Sequence, residues 1–402
     1  MVVHAYYPLA ETRVERQAHT LIKHGYEVDV ICLRDTGEPA FETHSSVNIY
    51  RLPVKRHKSA GPVTQLLEYL AFFLLALIRL VVLQIRRRYQ VVQVHNLPDF
   101  LVFAALAPKL AGARIILDIH DLMPEFYASR FNRSLESLPV RLVVWQEQLS
   151  CRFADHVITV SEHWRQTLIQ RGVTKEKCSV VMNVADESIF QYIENNESKS
   201  GTCPAFRLIY HGTVVERYGL DLAVQAIEKT REEIPGIHLT ILGKGEFVET
   251  LIQMVQQLDL NEHVSIYNEM RPAEELPQII RAANLGIVPY RGDTFTDQLL
   301  PTKLMEYAAL GLPAIAARTT AIGTYFGDTM VELFTPGDVD DLAACILRLY
   351  KSRGRLEELA QGCKKFNERF NWTKIGEEYA ALVENLAAQS SNTYLREYAD
   401  RT

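Results

Sequence analysis

The sequence predicts an α/β protein of two Rossmann-like halves. Short apolar runs rich in β-branched residues alternate with longer stretches of helical period along the whole chain, the pattern of repeated βα units in a parallel sheet. Polar residues follow directly on several of these runs, where open parallel sheets bind ligands. Composition turns polar and poor in apolar residues once, at 191–204 (QYIENNESKSGTCP), which reads as a linker between the halves.

At 402 residues the chain has room for two or three domains, each with its own core. A hydrophobic content of 48 %, a charged content of 23 % and a net charge of −6 describe an ordinary soluble enzyme and offer no basic excess for nucleic acid. Six cysteines, Cys32, Cys151, Cys178, Cys203, Cys345 and Cys363, contain no C-x-x-C pair, so free thiols in a reducing compartment are expected and a zinc site is not. The N-terminus lacks a basic region followed by an apolar core and a cleavage site, and a cytoplasmic protein is expected.

In the first half, 1–190, Met1 to Ala5 reads as a strand short for its place in such a fold, as though a few residues precede it. Arg13 to Ile22 reads as a helix closed by Gly25, and EVDVICL and VNIYRLPV as strands. Arg13, near the helix start, is a candidate for a phosphate or an acidic acceptor. Between 51 and 88 the basic residues Arg51, Lys55, Arg56, Lys58, Arg79, Arg86, Arg87 and Arg88 face one carboxylate, Glu68, around LLEYLAFFLLALIRLVVLQI. Glu68 and Arg79 interrupt that run, leaving about ten uninterrupted apolar residues against the roughly 20 a bilayer span needs. The basic flanks favour a helix near 63–88 lying in the headgroup region of an anionic membrane over a buried crossover helix.

Two further strands, in YQVVQVHNLPDF and GARIILDIHDLMPEF, deliver His95, Asn96 and Asp99, then Asp118, His120, Asp121 and Glu125, to one rim. Asp121 and Glu125 suit an acceptor, as orienting groups or as a base, and His95 belongs to the same acceptor-side set. The segment 154–162 reads as a strand feeding a helix capped by Ser161.

The second half, 205–370, opens with a strand, a glycine turn and an amphipathic helix (FRLIYHGTVVERYGLDLAVQAI). In IHLTILGKGEF, Gly243 and Gly245 lie between strand and helix, where glycine permits close backbone approach to a ligand. The most informative stretch is 289–318: an apolar strand end runs into a polar loop, then a helix bearing Lys303 and Glu306, then Gly311-Leu312-Pro313 and another strand. Free N–H groups and the positive dipole end favour an anion at that helix start, with Lys303 beside it and Glu306 one turn on, suited to a ribose diol. Spacing alone gives comparable weight to a capped surface helix with a Lys/Glu pair. Asp340-Asp341 reads as a helix cap. Residues 371–388 read as a helix and 389–402 as a surface tail.

LPTKLMEYAALGLPAIA resembles the donor motif of GT-B glycosyltransferases of the large retaining family 4, in which an acidic residue, seven others and Glu precede a small-residue helix. Glu306 is that Glu, and eight positions earlier stands Gln298, an amide in place of the carboxylate. The resemblance implies a donor seat from Gln298, Leu299, Leu300, Thr302, Lys303 and Glu306. DIHDLMPE resembles a motif of a polysaccharide-assembly branch, implying that His120 lies near the transferred sugar. Where the family shows G-R-x-x-x-x-K-G, this chain has Gly212, Thr213 and Tyr218. Gly212 and Thr213 are expected on the donor rim, and Arg217, one residue before the missing lysine, is expected to hold phosphate.

The resemblance further implies two halves facing a central cleft, a C-terminal helix crossing back to the first half, and no cofactor or metal. The donor would be a nucleoside-diphosphate sugar, UDP favoured over GDP, transferred with retention to a glycan or lipid-linked acceptor in exopolysaccharide, capsule or O-antigen assembly. His120, Arg217, Lys303 and Glu306 would form the catalytic set. A sugar-nucleotide epimerase, or a degenerate nucleotide-binding scaffold, is the alternative.

Overall fold

A computed structural model describes residues 1–8, 11–56, 61–192 and 206–399, with the side chains of 62 and 391–399 left out. Lys58, Cys203 and most of the expected linker lie outside the described residues. The chain forms two compact units, Met1–Asn183 with Lys374–Thr402, and Val184–Thr373.

In the first unit the strands are β1 (Val2–Tyr6), β2 (Val28–Leu33), β3 (Phe41–His44), β4 (Val47–Leu52), β5 (Val91–His95), β6 (Arg114–Ile119), β7 (His156–Thr159) and β8 (Cys178–Val180). They form one sheet in the order β3-β4-β2-β1-β5-β6-β7-β8, parallel except for the edge pair β3 and β4. The strand β3 carries no apolar alternation (FETH), so its pattern offered nothing to detect. The helices are α1 (Thr12–Lys23), α2 (Pro62–Arg87), α3 (Leu106–Leu110), α4 (Met123–Arg130), α5 (Leu138–Phe153) and α6 (Glu162–Gln170). Ser161 caps α6 as expected, accepting from the Trp164 amide at 3.2 Å.

The helix α2 departs from the sequence reading in its apolar length. It is long and apolar enough to cross a membrane by length and composition, so the ten-residue limit underestimated it. Nor is it a fully buried crossover. Glu68, Phe72, Ala76, Leu80 and Leu83 face inward, whereas Val63, Leu66, Leu70, Leu74, Ile78, Val82 and Ile85 on the opposite face are 39 % to 75 % exposed. Glu68 reaches inward to His4 at 3.7 Å. Arg51, one of the basic residues of this stretch, is buried and paired with Glu38 and Glu42.

In the second unit β9 (Arg207–His211), β10 (His238–Leu242), β11 (Val264–Tyr267), β12 (Leu285–Val288), β13 (Ala314–Ala317) and β14 (Glu332–Phe334) make a parallel sheet in the order β11-β10-β9-β12-β13-β14. Its helices are α7 (Leu220–Thr230), α8 (Val248–Gln257), α9 (Leu276–Arg281), α10 (Thr302–Leu310), α11 (Thr320–Tyr325), α12 (Val339–Lys351) and α13 (Arg353–Arg369). The helix α13 escaped the sequence reading because only Leu359, Cys363 and Phe366 mark its buried stripe among many charges. Asp338, not Asp340 or Asp341, caps α12, accepting from the Asp341 amide. The last helix, α14, runs from Trp372 to Ala399, so the expected tail from 389 is helical over most of its length. From Lys374 onward it belongs to the first unit, where the Tyr379 hydroxyl donates to Gln93 Oε1 at 2.7 Å.

Candidate functional site

The second unit builds its site on α10. Gly286 of β12 leaves room that a Cβ would take from the Tyr307 ring, 2.4 Å away, so α10 lies close against the sheet. The Tyr307 hydroxyl then reaches Ile209 O at 3.1 Å. Gly311, with φ of 71°, ends the helix. No side chain caps its N-terminus; the Leu304 amide bonds Pro301 O at 3.1 Å, and the Thr302 and Lys303 amides are left to meet an anion.

That N-terminus opens into a pocket of about 300 Å³ lined by His211, Gly212, Thr213, Tyr218, Leu276, Tyr290, Leu299, Leu300, Pro301, Thr302, Lys303 and Glu306. Lys303 is buried, and its Nζ lies 4.9 Å, 5.1 Å and 5.1 Å from the ring centres of Tyr210, Tyr218 and Tyr290. It donates to the Tyr290 hydroxyl at 2.9 Å, and among the described residues no carboxylate pairs with it. Burial pulls its pKa down to about 8, and Glu306 opposes the shift. The Tyr218 ring stacks on Tyr290 at 4.6 Å, so the residue in place of the family's lysine walls the cage of the remaining one. Glu306 Oε2 lies 3.2 Å from His211 Nε2. Burial, helped by Lys303, lowers the His211 pKa to about 3, so a neutral imidazole faces the carboxylate.

Four expected donor residues are placed differently. Gly243 and Gly245 serve backbone packing: a Cβ on them would lie 1.7 Å from Gly212 O and 1.8 Å from Val214 O. The Arg217 guanidinium lies over the Phe295 ring at 5.6 Å and does not line the pocket. Gln298 is also outside the lining, with its Oε1 buried and unpartnered. Asp297 accepts from the Thr320 amide at 2.9 Å and so serves the start of α11. Tyr267, Glu269 and Arg271 line a separate hollow of about 390 Å³. His211, Tyr290 and Leu276 were not anticipated. His211 ends β9 and Tyr290 lies two residues past the end of β12, at the loops already singled out, so position relative to the strand end was the available signal.

In the first unit much of the polar rim is sealed. Arg13, a proposed acceptor contact, is buried and grips Asp118 with Nε and a terminal nitrogen, each at 2.9 Å, while donating to Val181 O at 2.8 Å. His95 is fully buried with Nδ1 3.1 Å from Asp118. Burial works against the Asp118 charge, but Arg13 and His95 hold its pKa well below the usual carboxylate range. His95, Asp118 and His120 bring ligand atoms within 4.8 Å of one another, yet Arg13 already occupies both Asp118 oxygens. Glu125 is buried against Arg171, which also holds Glu147 at 3.1 Å, so it braces α4 and is not offered to an acceptor.

His120 and Asp121 remain at the surface of this network, half-buried. Asn96 holds their loop: its Oδ1 accepts from the His120 amide at 3.0 Å, and its Nδ2 donates to Asp121 O at 2.6 Å. Burial lowers the His120 pKa to about 3, and its Nδ1 has no hydrogen-bond partner.

Residues 10–183 match the glycosyl transferase 4-like domain family, and residues 205–352 match the family glycosyl transferases group 1. The chain is a GT-B glycosyltransferase. HepE of Anabaena, solved with UDP-glucose, superposes with a TM-score of 0.70 at 16 % identity, over 96 % of this chain and 98 % of that one. The transferase is 23 % identical to chitobiosyldiphosphodolichol beta-mannosyltransferase of Debaryomyces hansenii, over 85 % of this chain and 79 % of the relative. It is 24 % identical to amylovoran biosynthesis glycosyltransferase AmsK of Erwinia amylovora, over 58 % of this chain and 56 % of the relative.

Proposed function

We propose that this glycosyltransferase takes a sugar from a nucleoside-diphosphate donor and transfers it, with retention, to a glycan or lipid-linked sugar in exopolysaccharide, capsule or O-antigen assembly. The observation that carries the donor half is the buried Lys303 beside the uncapped α10 N-terminus, with no carboxylate paired with it among the described residues. A diphosphate supplies the missing negative charge, and Glu306, held near His211, accepts hydrogen bonds from the ribose diol. The UDP-glucose complex of HepE favours UDP over GDP, and the names of the two curated relatives favour a lipid-diphosphate or polysaccharide acceptor.

Cleaving the bond between sugar and diphosphate builds negative charge on the leaving group and positive character on the ring. Lys303 and the α10 amides meet the first without rearrangement. Neutral His120, with its free Nδ1, serves as a hydrogen-bonding partner for a sugar hydroxyl. Since Gln298 is no nucleophile and lies outside the pocket lining, the acceptor attacks from the face the diphosphate leaves, and the departing phosphate takes its proton.

The exposed apolar face of α2, ending in Arg86, Arg87 and Arg88, supports peripheral contact with the anionic inner face of the cell membrane. Replacing those arginines by serine should move the protein from the membrane to the soluble fraction. For the donor, thermal unfolding is compared with UDP, GDP, ADP and CDP, in the parent and in Glu306→Ala. One nucleotide at about 100 times its dissociation constant should stabilise the parent by roughly 2.7 kcal/mol and the variant by less. A parent stabilised by none of the four would remove the donor reading.

A further inference from the structure

Beyond α2, the first unit exposes large apolar side chains on α3 and α5. Leu106 and Leu110 of α3 are 47 % and 81 % exposed, and Leu138, Leu142 and Trp145 of α5 are 70 %, 58 % and 59 % exposed. On α5 these three stand at i, i+4 and i+7, one stripe of a helix whose buried residues include Val140, Glu147 and Cys151. The connections from β4 to β5, β5 to β6 and β6 to β7 all step the same way along the sheet. Right-handed crossovers therefore lay α2, α3 and α5 side by side on one face. The segment Asp99–Ala105 between them packs against both α2 and α5: Phe100 meets Phe73 at 6.0 Å, and Phe103 meets Phe153 at 5.1 Å.

We infer that α5 is a second membrane-inserting element, and that α2, α3 and α5 together form a platform lying in the plane of an anionic bilayer, with Trp145 at the headgroup level. The inference rests on the membrane reading of α2 and adds a partner surface to it. Charge selects the occupant. Exposed Arg86 and Arg88 stand at one end of α2; exposed Arg141 stands in the first turn of α5, and exposed Arg133 and Glu136 precede that helix. The one carboxylate of α2, Glu68, is turned inward to His4. A long aliphatic stripe flanked by arginines and edged by tryptophan matches the graded polarity of a lipid interface. The inward face of α2, packed on its own sheet, keeps that helix lying on the bilayer.

Trp145 supplies the test, because Trp164 is fully buried and Trp372 only half-exposed. The full chain is mixed with phosphatidylglycerol/phosphatidylcholine vesicles whose acyl chains carry bromine. Co-sedimentation and tryptophan emission are read together, with Trp145→Phe as the control. The expected result is binding that needs the anionic lipid, quenching that disappears in Trp145→Phe, and a partition weakened about tenfold or more by Leu138→Ser with Leu142→Ser. Binding without Trp145 quenching, and with the double variant unaffected, would overturn the platform while leaving the α2 reading intact. Failure to bind any vesicle would remove both. Lipid-free dimerisation abolished by Leu142→Ser would assign the face to a second copy of this chain and overturn the platform.

Discussion

Two buried cations, one in each unit, have opposite circumstances. Arg13 has its charge consumed inside the protein: both Asp118 oxygens and Val181 O take its donors. Lys303 sits among three tyrosine rings and one phenol oxygen, and no carboxylate pairs with it among the described residues. A satisfied buried cation organises structure, and an unsatisfied one beside a helix N-terminus is organised for a ligand. Arg13 stood in the sequence as a ligand residue, and only its partner at Asp118, 105 positions away, reassigns it.

The sharpest way to break the comparison is Arg13→Met. It strands the Asp118 carboxylate in the core and should cost about 3–5 kcal/mol, read by urea unfolding. Unchanged stability with lost transfer would return Arg13 to the site. Next comes Lys303→Met, which should lower kcat by about 10²–10³-fold. Its urea midpoint should hold or rise, since a buried charge is removed. A collapse in stability instead would place Lys303 with Arg13. Gly243→Ala should then cost roughly 1–3 kcal/mol by forcing apart the two loops, with donor affinity weakened as well because the displaced Gly212 lines the pocket.

The smallest effect concerns pH. Because the Lys303 pKa falls to about 8 from 10.5, the unfolded chain binds more protons between those values, and stability of the free protein should rise with pH across that window. Diphosphate affinity should move the opposite way, falling above about pH 8 as the ammonium is lost. Calorimetric titration between roughly pH 7 and 9.5 reads this, and Lys303→Arg should flatten the slope because arginine stays charged.

Where function depended on local order, the sequence was legible. A strand end, a loop and a helix start at 289–318 place Leu299, Leu300, Thr302, Lys303 and Glu306 together, because βα units put their loops at one sheet edge. Gly212 and Thr213 line the same pocket from the neighbouring strand. Where function depended on which way a side chain turns, the sequence misled. Arg217 and Tyr218 are adjacent, and charge favoured the arginine, yet the tyrosine lines the pocket while the arginine lies on Phe295. Glu125 belonged to a convincing motif, but its partner Arg171, shared with Glu147, arrives from elsewhere in the chain.

By itself the sequence determined the two α/β halves, the order of their main strands, and the anion-favouring start of α10, all consequences of periodicity and chain-local geometry. Tertiary structure alone decided which buried charges are neutralised and which apolar faces stay uncovered. Desolvation and ion pairing depend on atoms a few ångströms away in space, and separation along the chain says little about them. The same arginine or leucine is therefore core or surface according to what folds against it.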